Sequence, residues 1–118
     1  MSRPRFLADH DLNEAIVDGV CRREPAVEFT RAREVGLARR PDPELLEYAA
    51  ALGLIVASHD VNTMPAHASE RLARRLTLPG LLMVRQTLPL SIAIDQLVMV
   101  WSASEAEEWA DVIEFLPL

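Results

Sequence analysis

Acidic side chains follow two predicted strands at the point where each strand ends. Asp9 closes the short run Arg5–Asp9, and Asp60 comes soon after the apolar run Leu54–Ser58. In an open parallel sheet, ligands bind outside the carboxyl ends of the strands. An aspartate that ends an apolar strand has no routine structural role, so both residues are candidates for function.

Three further acids are expected at the same edge of the sheet. Asp42 begins a predicted helix that leads into the strand before Asp60, so the N-terminus of this helix lies at the carboxyl edge of the strands. Glu44 lies in the first turn of that helix, and Asp11 stands at the start of the helix that follows Asp9. We therefore expect all five carboxylates to approach one another at this edge.

Converging carboxylates have a definite chemistry. They repel one another unless they are protonated or a cation neutralises them. Oxygen ligands of this kind suit Mg²⁺ or Mn²⁺. A divalent ion there binds a phosphate oxygen, lowers the pKa of its bound water and directs in-line attack on a phosphodiester. Metal-dependent cleavage of a phosphodiester is the reaction that these acids support.

Three of the acids also have a purely structural interpretation, which the sequence leaves open. Asp42 before Pro43 would serve as the N-cap of its helix. Asp11, with Glu14 three residues later, resembles a capping box. Glu44 would complement the dipole of its helix.

Two histidines flank the acids. His10 follows Asp9 and His59 precedes Asp60, so either side chain is placed to touch a substrate or a softer metal. Histidines in loops usually do neither. The chain has no CxxC, HExxH, P-loop or GxSxG pattern, so the chemistries that depend on those motifs have no support.

Predicted strands and helices alternate along the chain. Further strands are predicted at Val27–Thr30, Leu81–Arg85 and Val112–Leu116. Helices are predicted over Leu12–Arg23, Asp42–Leu52, Pro65–Leu76, Pro89–Trp101 and, as a short one, Glu105–Ala110. This alternation predicts a three-layer α/β/α sandwich with a mostly parallel sheet. The 118 residues contain no linker or repeat that would divide them, so we expect one domain, 1–118.

The charge composition limits the classes of partner. The net charge is −6, so the surface as a whole does not attract polyanions and any nucleic acid must bind locally. All 12 basic residues are arginines, whose planar guanidinium suits phosphate. A phosphate-handling receiver domain would need a lysine opposite its aspartates, and this chain has none.

We expect a soluble, cytoplasmic protein. The lone Cys21 excludes an internal disulfide framework and fits a reducing compartment. Asp9, His10 and Asp11 interrupt the apolar region that a signal peptide would need. The apolar segment Leu88–Trp101 is too short to span a bilayer, so no membrane partner is expected.

Several blocks of the sequence, taken in order, resemble those of a small bacterial PIN-like family, which is related to the PIN-domain toxin ribonucleases of the VapC type. The blocks are Phe6–Asp9, Asp42–Leu46 and Ser58–Met64, and the ending, Glu108–Trp109 followed by Val112–Leu118, is also similar. Asp42 precedes Asp60 by 18 residues, as in the helix–strand unit that joins two active-site acids of PIN domains. The resemblance therefore covers nearly the whole chain.

The resemblance implies a PIN-like fold and a Mg²⁺- or Mn²⁺-dependent endoribonuclease, a hydrolase with RNA as its substrate. The metal ligands that it implies are Asp9, Asp42 and Asp60, with Glu44 in support. It further implies the toxin half of a toxin–antitoxin pair, with an antitoxin protein as partner. The leading hypothesis from the sequence is thus a metal-dependent ribonuclease.

The sequence departs from the family pattern at two positions near the acids. His10 stands where glutamate is usual, although Asp11 follows, and Asn62 stands where a second aspartate is frequent. An amide oxygen still ligates Mg²⁺ but brings no charge. The alternative hypothesis is therefore a catalytically weakened PIN-like protein-interaction module. For such a module, Leu88–Trp101 would form a homo-oligomer interface, although a core face is the more usual role of such a segment.

Overall fold

Strands and helices alternate in the computed structural model, which describes residues 2–118. The five strands are β1 (Phe6–Ala8), β2 (Phe29–Arg31), β3 (Ile55–Ser58), β4 (Leu81–Val84) and β5 (Ile113–Leu116). The four α-helices are α1 (Glu14–Arg23), α2 (Asp42–Leu52), α3 (Met64–Ala73) and α4 (Leu90–Ala103). Two short 3₁₀ helices span Ala32–Val35 and Ala106–Trp109.

The five strands form one sheet in the order β2-β1-β3-β4-β5, and every pair of neighbours is parallel. All five strands therefore end at the same edge, here called the carboxyl edge. At its centre β1 and β3 lie side by side, with Ala8 opposite Ala57. The predicted α/β fold with a parallel sheet is confirmed.

The sheet is covered on both faces. Successive residues of a strand point to opposite faces, and in β1 Phe6 and Ala8 belong to one apolar core while Leu7 belongs to the other. The first core packs against α1 and α4, and the second against α2 and α3. The three layers that the sequence predicts are therefore present, and the central strands are buried on both sides.

Helix α4 shows how the most apolar segment is used. Its inner side belongs to the first core through the buried residues Ala93, Ile94, Leu97 and Val100. On its outer side Ile92 and Met99 are about two-fifths exposed, but Asp95 and Gln96 lie between them. Asp95 pairs with Arg23. The outer side of α4 is thus interrupted by polar groups.

No helix in residues 2–118 is long and apolar enough to cross a membrane.

The predicted capping box at the start of α1 is wrong. The helix begins at Glu14, and Asn13 is its N-cap, with the side-chain oxygen accepting a hydrogen bond from the Ala15 N–H at 2.9 Å. The chain first turns, because the Leu12 N–H donates to the Asp9 carbonyl at 3.0 Å and Leu12 is buried. Asp11 therefore lies before the cap.

The predicted N-cap role of Asp42 is also wrong. Asp42 is the first residue of α2, and the N-cap is Pro41, whose carbonyl accepts from the N–H groups of Glu44 and Leu45. Pro43 occupies the first turn, where the lack of an N–H costs nothing. The carboxylate of Asp42 caps no backbone group and is available for other contacts.

The remaining elements differ from prediction mainly at their ends. Strand β2 lies one to two residues later than predicted, and α3 ends at Ala73 rather than Leu76. The 3₁₀ helix Ala32–Val35 lies outside the predicted strands and helices. Element ends depend on capping contacts that sequence periodicity does not encode.

Gly80, directly before β4, offers a test of how closely the last 3₁₀ helix packs on the sheet. Its φ is +141°, and a Cβ there would lie 3.0 Å from both the Cβ and the carbonyl oxygen of Trp109. We expect Gly80→Ala to lower the free energy of unfolding by about 2–3 kcal/mol, because backbone strain adds to the clash. Urea denaturation measures this value.

Gly36→Ala is the matched control. Gly36 also has a positive φ, +77°, but nothing lies within 4 Å of its ideal Cβ. Gly36→Ala should lower the free energy of unfolding by only about 1 kcal/mol, since the backbone strain acts alone. Equal losses in the two variants would contradict the predicted contact with Trp109.

Candidate functional site

Asp9 is a buried carboxylate at the carboxyl edge, only 4% exposed. Its backbone N–H donates to the Ala57 carbonyl at 3.0 Å, which extends the β1–β3 pairing by one residue. Its Oδ2 accepts a hydrogen bond from the Ser58 hydroxyl at 2.8 Å, and its Oδ1 accepts from the backbone N–H of His10 at 2.8 Å. Both oxygens are thus partnered, as a buried carboxylate requires.

Ser58 connects the two strand-end aspartates. Its side chain is fully buried at the end of β3. The hydroxyl donates to Asp9 and accepts from the backbone N–H of Asp60 at 3.0 Å. The sequence interpretation missed this role, although a serine that ends an apolar strand is a signal, because a buried hydroxyl must find partners.

Asp60 holds the loop that leads into α3. Its Oδ1 accepts from the backbone N–H groups of Asn62 at 3.1 Å and Thr63 at 2.9 Å, and its Oδ2 accepts from the Thr63 hydroxyl. The bonds from the Thr63 hydroxyl and then from the Thr63 N–H lower the pKa of Asp60. Asp60 is therefore held as a carboxylate.

Asp42 is half-buried opposite Asp60, across Thr63. Its Oδ2 lies 3.3 Å from the Thr63 hydroxyl oxygen. A hydroxyl has one proton, so Thr63 donates to only one of the two carboxylates at a time. Burial, and then the charges of Asp9 and Asp60, raise the pKa of Asp42. Its negative charge is therefore unfavourable where it stands.

Asp11 completes the group on the other side of Asp9. Burial, followed by the negative charge of Asp9, raises the pKa of Asp11. Four of the five predicted acids thus influence one another at the carboxyl edge. We call these four the acid cluster: Asp9, Asp11, Asp42 and Asp60.

Glu44 has a different partner. Its side chain is exposed and lies 3.7 Å from the guanidinium of Arg40. Within residues 2–118, no hydrogen bond or ion pair joins Glu44 to the acid cluster. Its support of a metal stays a prediction.

His59 is held by two backbone groups. Its Nδ1 lies 2.6 Å from the Val84 carbonyl oxygen, which can only accept, so Nδ1 carries the proton. Its Nε2 accepts from the Asn13 N–H at 3.1 Å. Both ring nitrogens are occupied, and the ring ties the ends of β3 and β4 to the start of α1.

Three other polar residues lie around the acid cluster. His10 is exposed, with Nδ1 3.1 Å from Oδ1 of Asp9. Asn62 is exposed and lines a cavity of about 420 Å³ together with Asp11 and Asp60. His67, on α3, is half-buried and faces Asp42 and Asp60 closely enough for a protonated imidazole to favour both carboxylates.

The donor set can be compared with what Mg²⁺ and Mn²⁺ require. No three His, Cys, Asp or Glu side chains of residues 2–118 are arranged to hold one metal ion as they stand. Mg²⁺, however, usually binds through one or two carboxylates and keeps several waters. Asp9 and Asp60, which Ser58 connects, supply such a pair, and Asp42 lies beside Asp60 across the Thr63 hydroxyl. Oxygen donors and surplus negative charge fit a hard divalent cation.

Comparisons with known proteins give no further identification. No protein-family model, no curated protein and no solved structure matches this chain. The function must therefore be inferred from the geometry of the carboxyl edge.

The raised pKa of Asp42 predicts a stabilising substitution. The folded protein holds this proton more tightly than the unfolded chain, so the ionised carboxylate costs stability at neutral pH and nothing once the pH is below its ordinary pKa of 3.8. We expect Asp42→Asn to raise the free energy of unfolding at pH 7 in EDTA by roughly half a kcal/mol, a value discounted for solvent screening. The gain should vanish near about pH 3. Thermal unfolding of both proteins across this pH range measures it, and a loss of stability at pH 7 would contradict it.

Asp60→Asn should behave in the opposite way. The pKa of Asp60 is lowered, so its charge stabilises the fold above the ordinary value of 3.8, and this contribution is lost as the pH falls through the folded pKa. We expect a loss of about 0.5–1 kcal/mol at pH 7, because a charged residue before the first turn of α3 becomes neutral. Asp95→Asn, which alters only an exposed pair with Arg23, is the control for both variants. If Asp60→Asn stabilised the protein at pH 7, its contacts with Thr63 and Asn62 would not stabilise the carboxylate.

Proposed function

We propose that this protein is a Mg²⁺- or Mn²⁺-dependent endoribonuclease of the PIN-like class, with its active site at the carboxyl edge. The observation that carries the proposal is the acid cluster, in which burial, and then the charges of neighbouring carboxylates, raise the pKa values of Asp11 and Asp42. A site that keeps mutually repelling carboxylates together favours a cation that neutralises them.

The donors at this edge suit the metal. Asp9 and Asp60 would hold the ion, and Asp42 would complete the site. When bound, the ion would coordinate a phosphate oxygen and lower the pKa of its bound water. Ser58 contributes by fixing the orientation of Asp9, because its hydroxyl donates to Oδ2 at 2.8 Å. The Ser58 hydroxyl also accepts a hydrogen bond from the Asp60 N–H, and this contact fixes the position of Asp60 relative to Asp9.

Asp42 is the acid best placed for proton transfer. Its raised pKa makes its carboxylate a stronger base than an ordinary aspartate. It would orient the attacking water and accept a proton at a carboxylate oxygen. The water oxygen forms a bond to phosphorus, one P–O ester bond breaks, and the departing oxygen takes up a proton. The products are one phosphate-monoester end and one hydroxyl end.

The second candidate is a PIN-like protein-interaction module without catalysis. The observation in its favour is that no three ligating side chains of residues 2–118 are arranged around one point. The amide of Asn62, where a carboxylate would add charge, also favours it. In this case the acid cluster would persist without a cation.

Metal-dependent cleavage is the direct test. We expect wild-type protein to cleave structured RNA in Mg²⁺ or Mn²⁺ and not in EDTA. Asp9→Asn and Asp60→Asn should each lower the rate about a hundredfold or more, because each removes a charge from the metal site. Asp95→Asn should leave the rate unchanged, since Asp95 pairs with Arg23 on the outer side of α4.

Thermal unfolding separates the two candidates even if no substrate has been found. Mn²⁺ should raise the melting temperature of wild type and leave Asp60→Asn unaffected, because a ligand that binds only the folded state stabilises it. No response to Mn²⁺ in wild type would favour the interaction module. Cleavage that persists in EDTA would overturn the ribonuclease proposal.

The resemblance to PIN-domain toxins extends the proposal to the toxin of a toxin–antitoxin pair. Induced expression in a bacterial host should then arrest growth, and Asp9→Asn should relieve the arrest. Relief requires that the variant accumulates to the wild-type level, which immunoblotting measures. Equal growth with both proteins would contradict a toxin role but leave the cleavage assay as an independent result.

A further inference from the structure

Most arginines of residues 2–118 are already occupied by protein partners. Seven form ion pairs with carboxylates: Arg5, Arg23, Arg31, Arg33, Arg40, Arg71 and Arg74. Arg3 donates to the carbonyls of Trp101 and Ser102. Four arginines of this part of the chain have neither a carboxylate nor a carbonyl partner, namely Arg22, Arg39, Arg75 and Arg85. Only these four offer an uncompensated guanidinium.

Two of the four unpaired arginines lie beside the acid cluster. Arg39 lines a cavity of about 320 Å³ that also includes Asp9 and His10. Arg85 lines the cavity of about 420 Å³ that includes Asp11 and Asp60. The first cavity thus combines one acid of the cluster with an unpaired arginine, and the second combines two.

The cavity around Arg39 contains other arginines, but acids neutralise them. Arg31 binds Glu14 at 2.7 Å and Asp18 at 2.6 Å, and Arg33 lies 3.3 Å from Glu14. A phosphate entering this cavity would therefore meet Arg39 as its uncompensated positive charge.

The sheet order places the two cavities on opposite sides of the acids. Along the carboxyl edge the strands run β2, β1, β3, β4. The segment with Arg39 follows β2, Asp9 follows β1, Asp60 follows β3 and Arg85 follows β4. Neighbouring strands are about 4.8 Å apart, so the ends of β2 and β4 are separated by roughly 14 Å. A polynucleotide chain crossing this edge would pass one arginine, then the acids, then the other arginine.

Arg85 is held in place without losing its charge. Its guanidinium lies over the ring of Phe115, 4.6 Å from the ring centre. A cation–π contact orients the guanidinium but leaves its N–H donors free. The sequence interpretation did not single out Arg85, because nothing in the sequence shows that it lacks a carboxylate partner.

We propose that Arg39 and Arg85 bind the phosphates on either side of the scissile bond, one in each cavity. The inference rests on the proposed nuclease function and adds the residues that hold the substrate backbone. The group recognised is the phosphodiester, so both RNA and DNA strands would be held. The acidic net charge of −6 makes these two guanidinium groups decisive, because the protein as a whole repels polyanions.

Fluorescence anisotropy with a short labelled RNA tests the proposal. Binding is measured in EDTA and again with Ca²⁺, at NaCl concentrations between about 50 and 200 mM. Arg39→Gln and Arg85→Gln should each weaken binding on the order of fivefold at the low salt concentration. Each should also reduce the slope of log affinity against log salt by about 0.7, the value for one lost phosphate contact on a single strand. The double variant should show both effects together.

Arg22→Gln and Arg75→Gln are matched controls. These arginines are also unpaired, but Arg22 lies in the last turn of α1 and Arg75 follows α3, so they lie at the opposite edge of the sheet. The two control variants change the net charge by the same amount as Arg39→Gln and Arg85→Gln. They should leave the slope of log affinity against log salt unchanged. Arg85→Lys should retain most of the slope, because it retains the charge. Equal losses in all four Gln variants would overturn the proposal and indicate a general charge effect.

The outcomes distinguish this inference from the nuclease proposal. Unchanged binding in Arg39→Gln and Arg85→Gln, with metal-dependent cleavage in wild type, would overturn only the role of the arginines. A specific loss of binding without any cleavage in Mg²⁺ or Mn²⁺ would support the arginines and overturn the nuclease. If wild type binds no RNA in either buffer, both fail.

A DNA strand of the same sequence completes the test. Equal losses with RNA and DNA are expected, since contacts with phosphate carry no information about the sugar or base. A loss confined to RNA would overturn the proposal, because the arginines would then recognise the 2′-hydroxyl rather than the phosphate.

Discussion

The hydroxyl of Ser58 is the contact on which the arrangement of the carboxyl edge depends. A carboxylate as buried as Asp9 is stable only when its oxygens are hydrogen-bonded. Ser58 donates to it and accepts from the Asp60 backbone, so one buried hydroxyl fixes the ends of two adjacent strands. The parallel register that sets Ala8 opposite Ala57 makes this contact geometrically available. The pairing of β1 with β3 therefore also determines how the two aspartates are placed relative to each other.

The acids around this contact differ in what they contribute to the fold. Asp60 accepts two backbone N–H groups and a hydroxyl, and its charge supports the start of α3. For Asp42 and Asp11, burial and then nearby carboxylates raise the pKa values. Since functional sites often retain interactions that oppose stability, the two unfavourable acids are more informative about function than the favourable one.

Periodicity and strand ends were enough to predict the α/β sandwich and the edge at which the acids meet. Helix capping was not predictable, because an aspartate before a proline satisfies the rules for an N-cap and for a free first-turn acid equally well. Only the fold shows that Pro41 occupies the cap and leaves Asp42 to face Thr63. Ser58 and Thr63 were missed for a related reason: their partners are defined by loop geometry or lie on other elements.

The distribution of charge is compatible with the polyanionic ligand that we propose for this acidic protein. Long-range attraction cannot bring nucleic acid to a surface with a net charge of −6. Local binding then requires guanidinium groups whose charge no neighbouring acid cancels. Within residues 2–118, acids pair with Arg31 and Arg33 but leave Arg39 and Arg85 free, so the unpaired guanidinium groups near the acid cluster stand at two points. On this argument the positions of the unpaired arginines, rather than the number of arginines, determine where a phosphate backbone can lie.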